Sequence, residues 1–284
     1  MKYWQNIKER LENHWQLTEQ LLMLFAFIYI VVLANDFKIW KLCILFSGFL
    51  VWFLIGKNAK HPISWIVILL LLIIDLVGSY FWVANHHFLL LFVVLSMVFY
   101  GYHQSNVILY KNVQALLIIV LCASVIHKLF SYQFISGNFY YHSINQGTIF
   151  KSLFYFFPDS LEIANSNAES IKELNETDPN LLGKIKLVDV FPNLRIITIV
   201  FAWMTIIVEF LAAVALLSKP KSKWTHLVLI AMILGILFTK LETGFMSLLS
   251  ICGLLLCNHL KLKIVYLIVA IACLTMIITK IGYH

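Results

Sequence analysis

The chain has 284 residues, of which 61% are hydrophobic and only 12% charged, with a mean hydropathy of +0.88. The apolar residues fall in blocks long enough to cross a bilayer, which excludes a soluble enzyme, a nucleic-acid-binding module and a disordered chain. The net charge of +7 therefore has meaning only by position along the chain.

The first segment, MKYWQNIKERLENHWQLTEQ, carries charges of both signs and no small-residue cleavage site, so it lacks the form of a secretory signal peptide. Trp4, Ile7, Leu11 and Trp15 recur at spacings of three and four, while Lys8, Glu9, Arg10 and Glu12 take other faces. That pattern predicts an amphipathic helix over residues 1–16 at the cytoplasmic interface, or a plain helical lead-in to the first span. Apolar blocks follow near Leu21–Ala34, Leu42–Ile55, Ile63–Val83, Phe88–Tyr102, Val113–Phe134, Ile196–Leu217, Trp224–Phe238, Phe245–Cys257 and Leu262–Ile281. They predict an all-α fold, a polytopic integral membrane helical bundle of about nine spans, roughly eight to ten. Residues 17–284 read as a single transmembrane domain, with no repeat and no low-complexity linker.

Lys and Arg in the short connections set the orientation. One set of alternating loops holds Lys2, Lys8, Arg10, Lys57, Lys60, Lys111, Lys219, Lys221, Lys223, Lys261 and Lys263; the other holds Lys38, Lys41, Lys240 and Lys280. The N-terminus is therefore expected in the cytoplasm, and the C-terminus and the long loop 137–194 outside it. This loop has Asp159, Glu162, Glu169, Glu173, Glu176, Asp178 and Asp189, the only acidic stretch of the chain. Its PDSLEIANSNAESIKELNETDP predicts a short helix on the membrane surface, N-capped by Asp159 or Ser160, with Leu161, Ala164, Ala168, Ile171 and Leu174 on one stripe.

Cys43, Cys122, Cys252, Cys257 and Cys273 all fall in predicted spans without a CxxC, so they read as packing residues and no metal site is expected. Ionisable residues in spans cost about 2.5–3.5 kcal/mol and must face the bundle interior. They are Asp75, Lys128, Glu209 and Glu242, joined by the pair His86-His87 after Asn85 and by His127 beside Lys128. In a continuous helix Ser124, Lys128 and Tyr132 share one face, a polar stripe among apolar residues. A desolvated lysine without a permanent carboxylate partner loses its proton easily and acts as a base. The alternative is a structural lysine, snorkelling to the interface or paired with Glu209 or Glu242. His86 and His87 read either as proton carriers near that lysine or as polar residues of a tight turn.

At these residues the sequence resembles a known family. ASVIHKLFSYQFISGNFY, Ala123 to Tyr140, resembles the small-residue, Lys-Leu, aromatic and Gly motif of the horizontally transferred transmembrane domain family, which includes vitamin K-dependent gamma-glutamyl carboxylases. Asn85-His86 before an aromatic, leucine-rich span and VEFLAAVALL, Val208 to Leu217, resemble two further family segments. The resemblance implies Lys128 as catalytic base, His86 in the chemistry and Glu209 in the family's acidic position. It also implies a reduced vitamin K-like hydroquinone, with oxygen and carbon dioxide, as cofactors, and an outward-facing site. Small bacterial members that mature a secreted peptide toxin are similar in size, so a secreted peptide or peptide-maturation partner in a bacterial inner or plasma membrane is expected. FTKLETGFMSLLS, Phe238 to Ser250, departs from the family's His and Ile-Gly-x-Phe.

Three functions remain open on the sequence. The first is an enzyme using Lys128 and His86, with Asn85, His87, His127, Tyr132, Glu209 and Glu242 in support. The second is a non-catalytic accessory of peptide maturation, export or immunity, docking a partner through the external helix. The third is a small-solute or proton transporter relaying through Asp75, Glu209 and Glu242.

Overall fold

The protein is described here by a computed structural model, covering residues 14–33, 39, 42–44, 46, 62–78, 80, 85–176 and 185–281. Nearly all of the predicted interfacial helix and of the second predicted span lie outside the described residues.

Helices account for the fold, and no β-strand occurs among the described residues. In chain order they are α1 (His14–Ile28, continued by a π-helical turn Tyr29–Leu33), α2 (Ile63–Gly78), α3 (Asn85–His103), α4 (Asn106–Phe130), α5 (Tyr132–Ile135), α6 (Asn138–Asn145), α7 (Lys151–Phe154), α8 (Pro158–Glu176), α9 (Leu194–Ser218), α10 (Lys223–Lys240), α11 (Thr243–Leu256) and α12 (Leu260–Ile278). In hydrocarbon a backbone group has no water to bond, so a helix that satisfies its own ladder is the economical way across. Among the described residues six are long and apolar enough to cross a membrane: α1 with its π turn, α3, α4, α9, α10 and α12. The chain is thus an integral membrane protein of the all-α class. α2 and α11 are apolar but shorter.

Contacts divide the chain into two compact units. The first comprises residues 1–120, 212–234 and 242–284. Here α11 is the hub, buried along almost its whole length and packed on α12, α1 and α3. At 14 residues it spans about 20 Å, too short for a bilayer alone, and enclosure by neighbouring helices relieves that mismatch. Its Gly253 lies under the Tyr266 ring of α12, where an added Cβ would come within 2.4 Å of the ring.

The second unit comprises residues 121–211 and 235–241. Its core joins Val125, Phe134, Tyr140, Ile144 and Phe154 to Val190, Leu194, Ala202 and Ile206. The short helices α5 to α7 thus bury their apolar faces against the first turns of α9. α8 starts at Pro158, one residue before the earlier expected cap, because a proline at the first helical position gives up no intrahelical hydrogen bond. Asn167 of α8 donates to the carbonyls of Asn145 (3.0 Å) and Val188 (2.8 Å) and accepts from Val188 N–H (3.0 Å), tying α8, α6 and the lead-in to α9 together.

Candidate functional site

Lys128 stands two residues before the end of α4, and its side chain runs back along the helix to Ser124. Its Nζ donates to Ser124 Oγ at 2.7 Å and to Glu209 Oε1 and Oε2 at 2.6 and 2.5 Å. Ser124 Oγ in turn donates to Glu209 Oε2 at 3.0 Å, closing a three-residue ring between α4 and α9. The Glu209 side chain is 5% exposed and that of Lys128 20%, so the lysine is the more accessible member. The Phe134 ring centre lies 5.6 Å from Nζ, within reach of a cation–π contact. Phe134 stacks on Phe139 at 5.7 Å and meets Tyr140 edge-on, and Tyr140 continues to Phe201. An ammonium, a carboxylate and a hydroxyl thus share a site with an aromatic wall.

Of the two readings the sequence left open for Lys128, the structure has the lysine paired with Glu209. Glu209 supplies the carboxylate that holds the Lys128 amino group between α4 and α9. Tyr132 leaves the expected stripe: α4 ends at Phe130, Ser131 is extended (φ −88°, ψ 106°), and Tyr132 restarts as α5 with its side chain 75% exposed. His127 is also exposed, on another face of α4 from the pair.

The histidine pair belongs to the first unit and sits in the first turn of α3, not in a turn between helices. His87 is 1% exposed. Its Nε2–H donates to the carbonyl of Leu72 at 2.9 Å, and in the neutral ring Nδ1 accepts from the Tyr29 hydroxyl at 2.9 Å. This is the geometry of a buried histidine that fastens α1, α2 and α3. His86 is half-buried, edge-on to the Tyr29 ring at 5.6 Å. Glu242, immediately before α11, is close enough to act on His86 through its charge, and Asp75 of α2 acts likewise on Tyr29. Asn85 is the first residue of α3.

Tyr29 and Phe134 are the site neighbours that sequence reasoning missed. Tyr29 reaches His87 across 58 positions and carries no local signal. Phe134 was legible only as part of an apolar run. Among the described residues no group of three or more His, Cys, Asp or Glu is placed to hold a metal ion. A separate cavity of about 400 Å³ in the first unit, with Trp15, Glu19, Tyr100 and Asn106 in its wall, includes none of the candidate site residues. Comparison with family models, curated proteins and solved structures returns no match.

Proposed function

We propose that the chain is an integral membrane enzyme in which Lys128 is the base and Glu209 shares its proton, acting at the extracytoplasmic face on a reduced quinone-like molecule, a secreted peptide, or both in sequence. The observation that carries this reading is the contact of the Lys128 ammonium with Glu209 and Ser124 beside an aromatic wall. Base action by a lysine held against a carboxylate begins with transfer of a proton to that carboxylate. Two neutral groups result, an amine and a carboxylic acid. The amine then takes the proton of a substrate O–H, leaving a substrate anion beside an ammonium. Ser124 holds both partners in register through each state, donating to whichever oxygen is free.

The residues fit a flat phenolic group. The exposed Phe139 ring, stacked on the buried Phe134, offers an apolar face, and the neighbouring amine is the proton acceptor that a hydroquinone hydroxyl requires. Such a group, when bound, supplies the electrons for oxygen-dependent proton removal from a peptide glutamate before carbon dioxide adds. The family resemblance gives His86, with Asn85, a proton-carrying or hydrogen-bonding part; His87, His127, Tyr132 and Glu242 are supporting candidates by their sequence positions alone. The same reading has about nine spans, a cytoplasmic N-terminus, an outer loop 137–194 and surrounding lipid as its medium.

A second reading has one observation in its favour: all three ammonium hydrogens have acceptors within 2.7 Å, as a structural cross-link between α4 and α9 requires. The chain is then an accessory that docks a partner through α8, whose Glu162, Glu169, Glu173 and Glu176 are exposed. Mass spectrometry of lipid extracts and secreted peptides from cells with wild type or Lys128→Ala, at matched membrane abundance, separates the two. The enzyme reading expects a peptide mass shift or an oxidised quinone that the variant loses. Identical profiles with the biological phenotype intact would rule out base chemistry at Lys128.

A further inference from the structure

We infer that residues 131–157 form a re-entrant hood held inside the membrane, in the leaflet at the Leu194 end of α9, with an exposed aromatic edge against lipid. α9 has 25 residues. At about 37 Å it exceeds a hydrocarbon core of about 30 Å by about 7 Å, which bounds how far Leu194 can project from that core. Glu209 is about 22 Å along the helix from Leu194, hence about 15 Å or more inside the boundary. The Phe134 ring centre lies 5.6 Å from the ammonium that Glu209 holds, so α5 descends into hydrocarbon.

Two further ties place the rest of the segment beside the spans. The Tyr140 hydroxyl bonds Thr205 Oγ1 at 3.0 Å, and Thr205 is about 9 Å or more inside the boundary by the same measure. Phe150 N–H donates to the carbonyl of Thr239 at 2.9 Å, one residue before the end of α10. With 18 residues, about 27 Å, α10 is shorter than the hydrocarbon core, so Thr239 lies near its boundary.

A segment of short helices and turns at such a depth must meet its backbone hydrogen bonds within protein. This one does so through short turns: Phe134 and Ile135 N–H donate to Ser131 O, Gly137 to Phe134 O, Thr148 to Ser143 O and Leu153 to Phe150 O. The segment climbs back to the boundary at α7. Phe154 and Phe157 both pack on Phe191 at 5.8 Å, three residues before α9 begins. Tyr155 and Phe156 between them are 71% and 78% exposed, and aromatic rings settle at the headgroup level. From Pro158 onward the exposed residues turn acidic, with Asp159, Glu162 and Glu169, which marks the passage into water.

The test is spin-label accessibility in proteoliposomes. Single cysteines replace Phe139, Phe156 and Glu169 in a chain carrying Cys43→Ser and Cys122→Ala. The hood predicts that the label at Phe139→Cys collides with oxygen far more than with a water-soluble nickel chelate. Phe156→Cys should give an intermediate ratio, and Glu169→Cys the reverse of Phe139→Cys. Because Phe139 packs on its neighbours, Tyr132→Cys, on a side chain free of the core, repeats the deep measurement. Chelate access at the deep positions equal to that at Glu169→Cys would make the segment an extramembrane domain. Shielding from both reagents would mean that protein covers it. Either result overturns the inference.

Discussion

At the scale of single residues, the Lys128–Glu209 pair carries the proposed chemistry. A buried pair gains little over well-packed apolar residues, yet removal of one partner leaves an uncompensated charge in a medium that cannot solvate it. Glu209→Gln is therefore expected to destabilise the folded protein in detergent by about 3 kcal/mol, read as a lowered midpoint of thermal unfolding. An unchanged midpoint would mean that water already reaches the ammonium. The sequence displayed part of this site. Ser124 and Lys128 stand four apart on one helix, and the 2.7 Å bond between them is what that spacing leads one to expect. Their partner Glu209 lies 81 positions from Lys128, where no local pattern reaches, so it could be named as a partner only alongside Glu242. The missed role of Tyr29 has the same cause.

At the scale of elements, periodicity located the long apolar helices and misjudged where they stop. α4 was expected to run to Phe134, because SVIHKLFSYQFI remains apolar and aromatic past Phe130. The break at Ser131 answers to tertiary contact: beyond it the chain must turn so that α5 and α6 can pack on α9. Gly137 makes the turn possible. Its φ is +75°, and an added Cβ would stand 2.7 Å from Ile199 N and 2.9 Å from the Thr198 carbonyl carbon, backbone atoms that cannot swing aside. Gly137→Ala is expected to cost about 2 kcal/mol or more from the left-handed conformation and the clash together. Hydrogen exchange should show the loss confined to α5–α6 and the first turns of α9. Wild-type protection there would show that the junction shifts freely and that the close approach has no role. The histidine pair teaches the same lesson, since the expected turn at Asn85–His87 is the start of α3, anchored by the bonds of His87 to α1 and α2.

At the scale of the whole molecule, the length and number of the apolar blocks pointed to an all-α membrane protein, because bilayer solvent accounts for so apolar a chain with so few charges inside its spans. Composition could not reveal that residues 121–211 and 235–241 form a compact unit of their own, for that depends on contacts between α5–α8 and α9 that no hydropathy window registers. Within this unit the intramembrane charges meet, and the account stands or falls on whether they perform chemistry or merely hold two helices together. The most direct measurement is the double variant Lys128→Met with Glu209→Leu, assayed for thermal stability and, by mass spectrometry, for the product that wild type makes. An apolar pair of similar size replaces a buried salt bridge with little loss of stability, and often with a gain. The account predicts a protein as stable as wild type that makes no product. A stable double variant with wild-type product would contradict it and leave the pair as a structural cross-link.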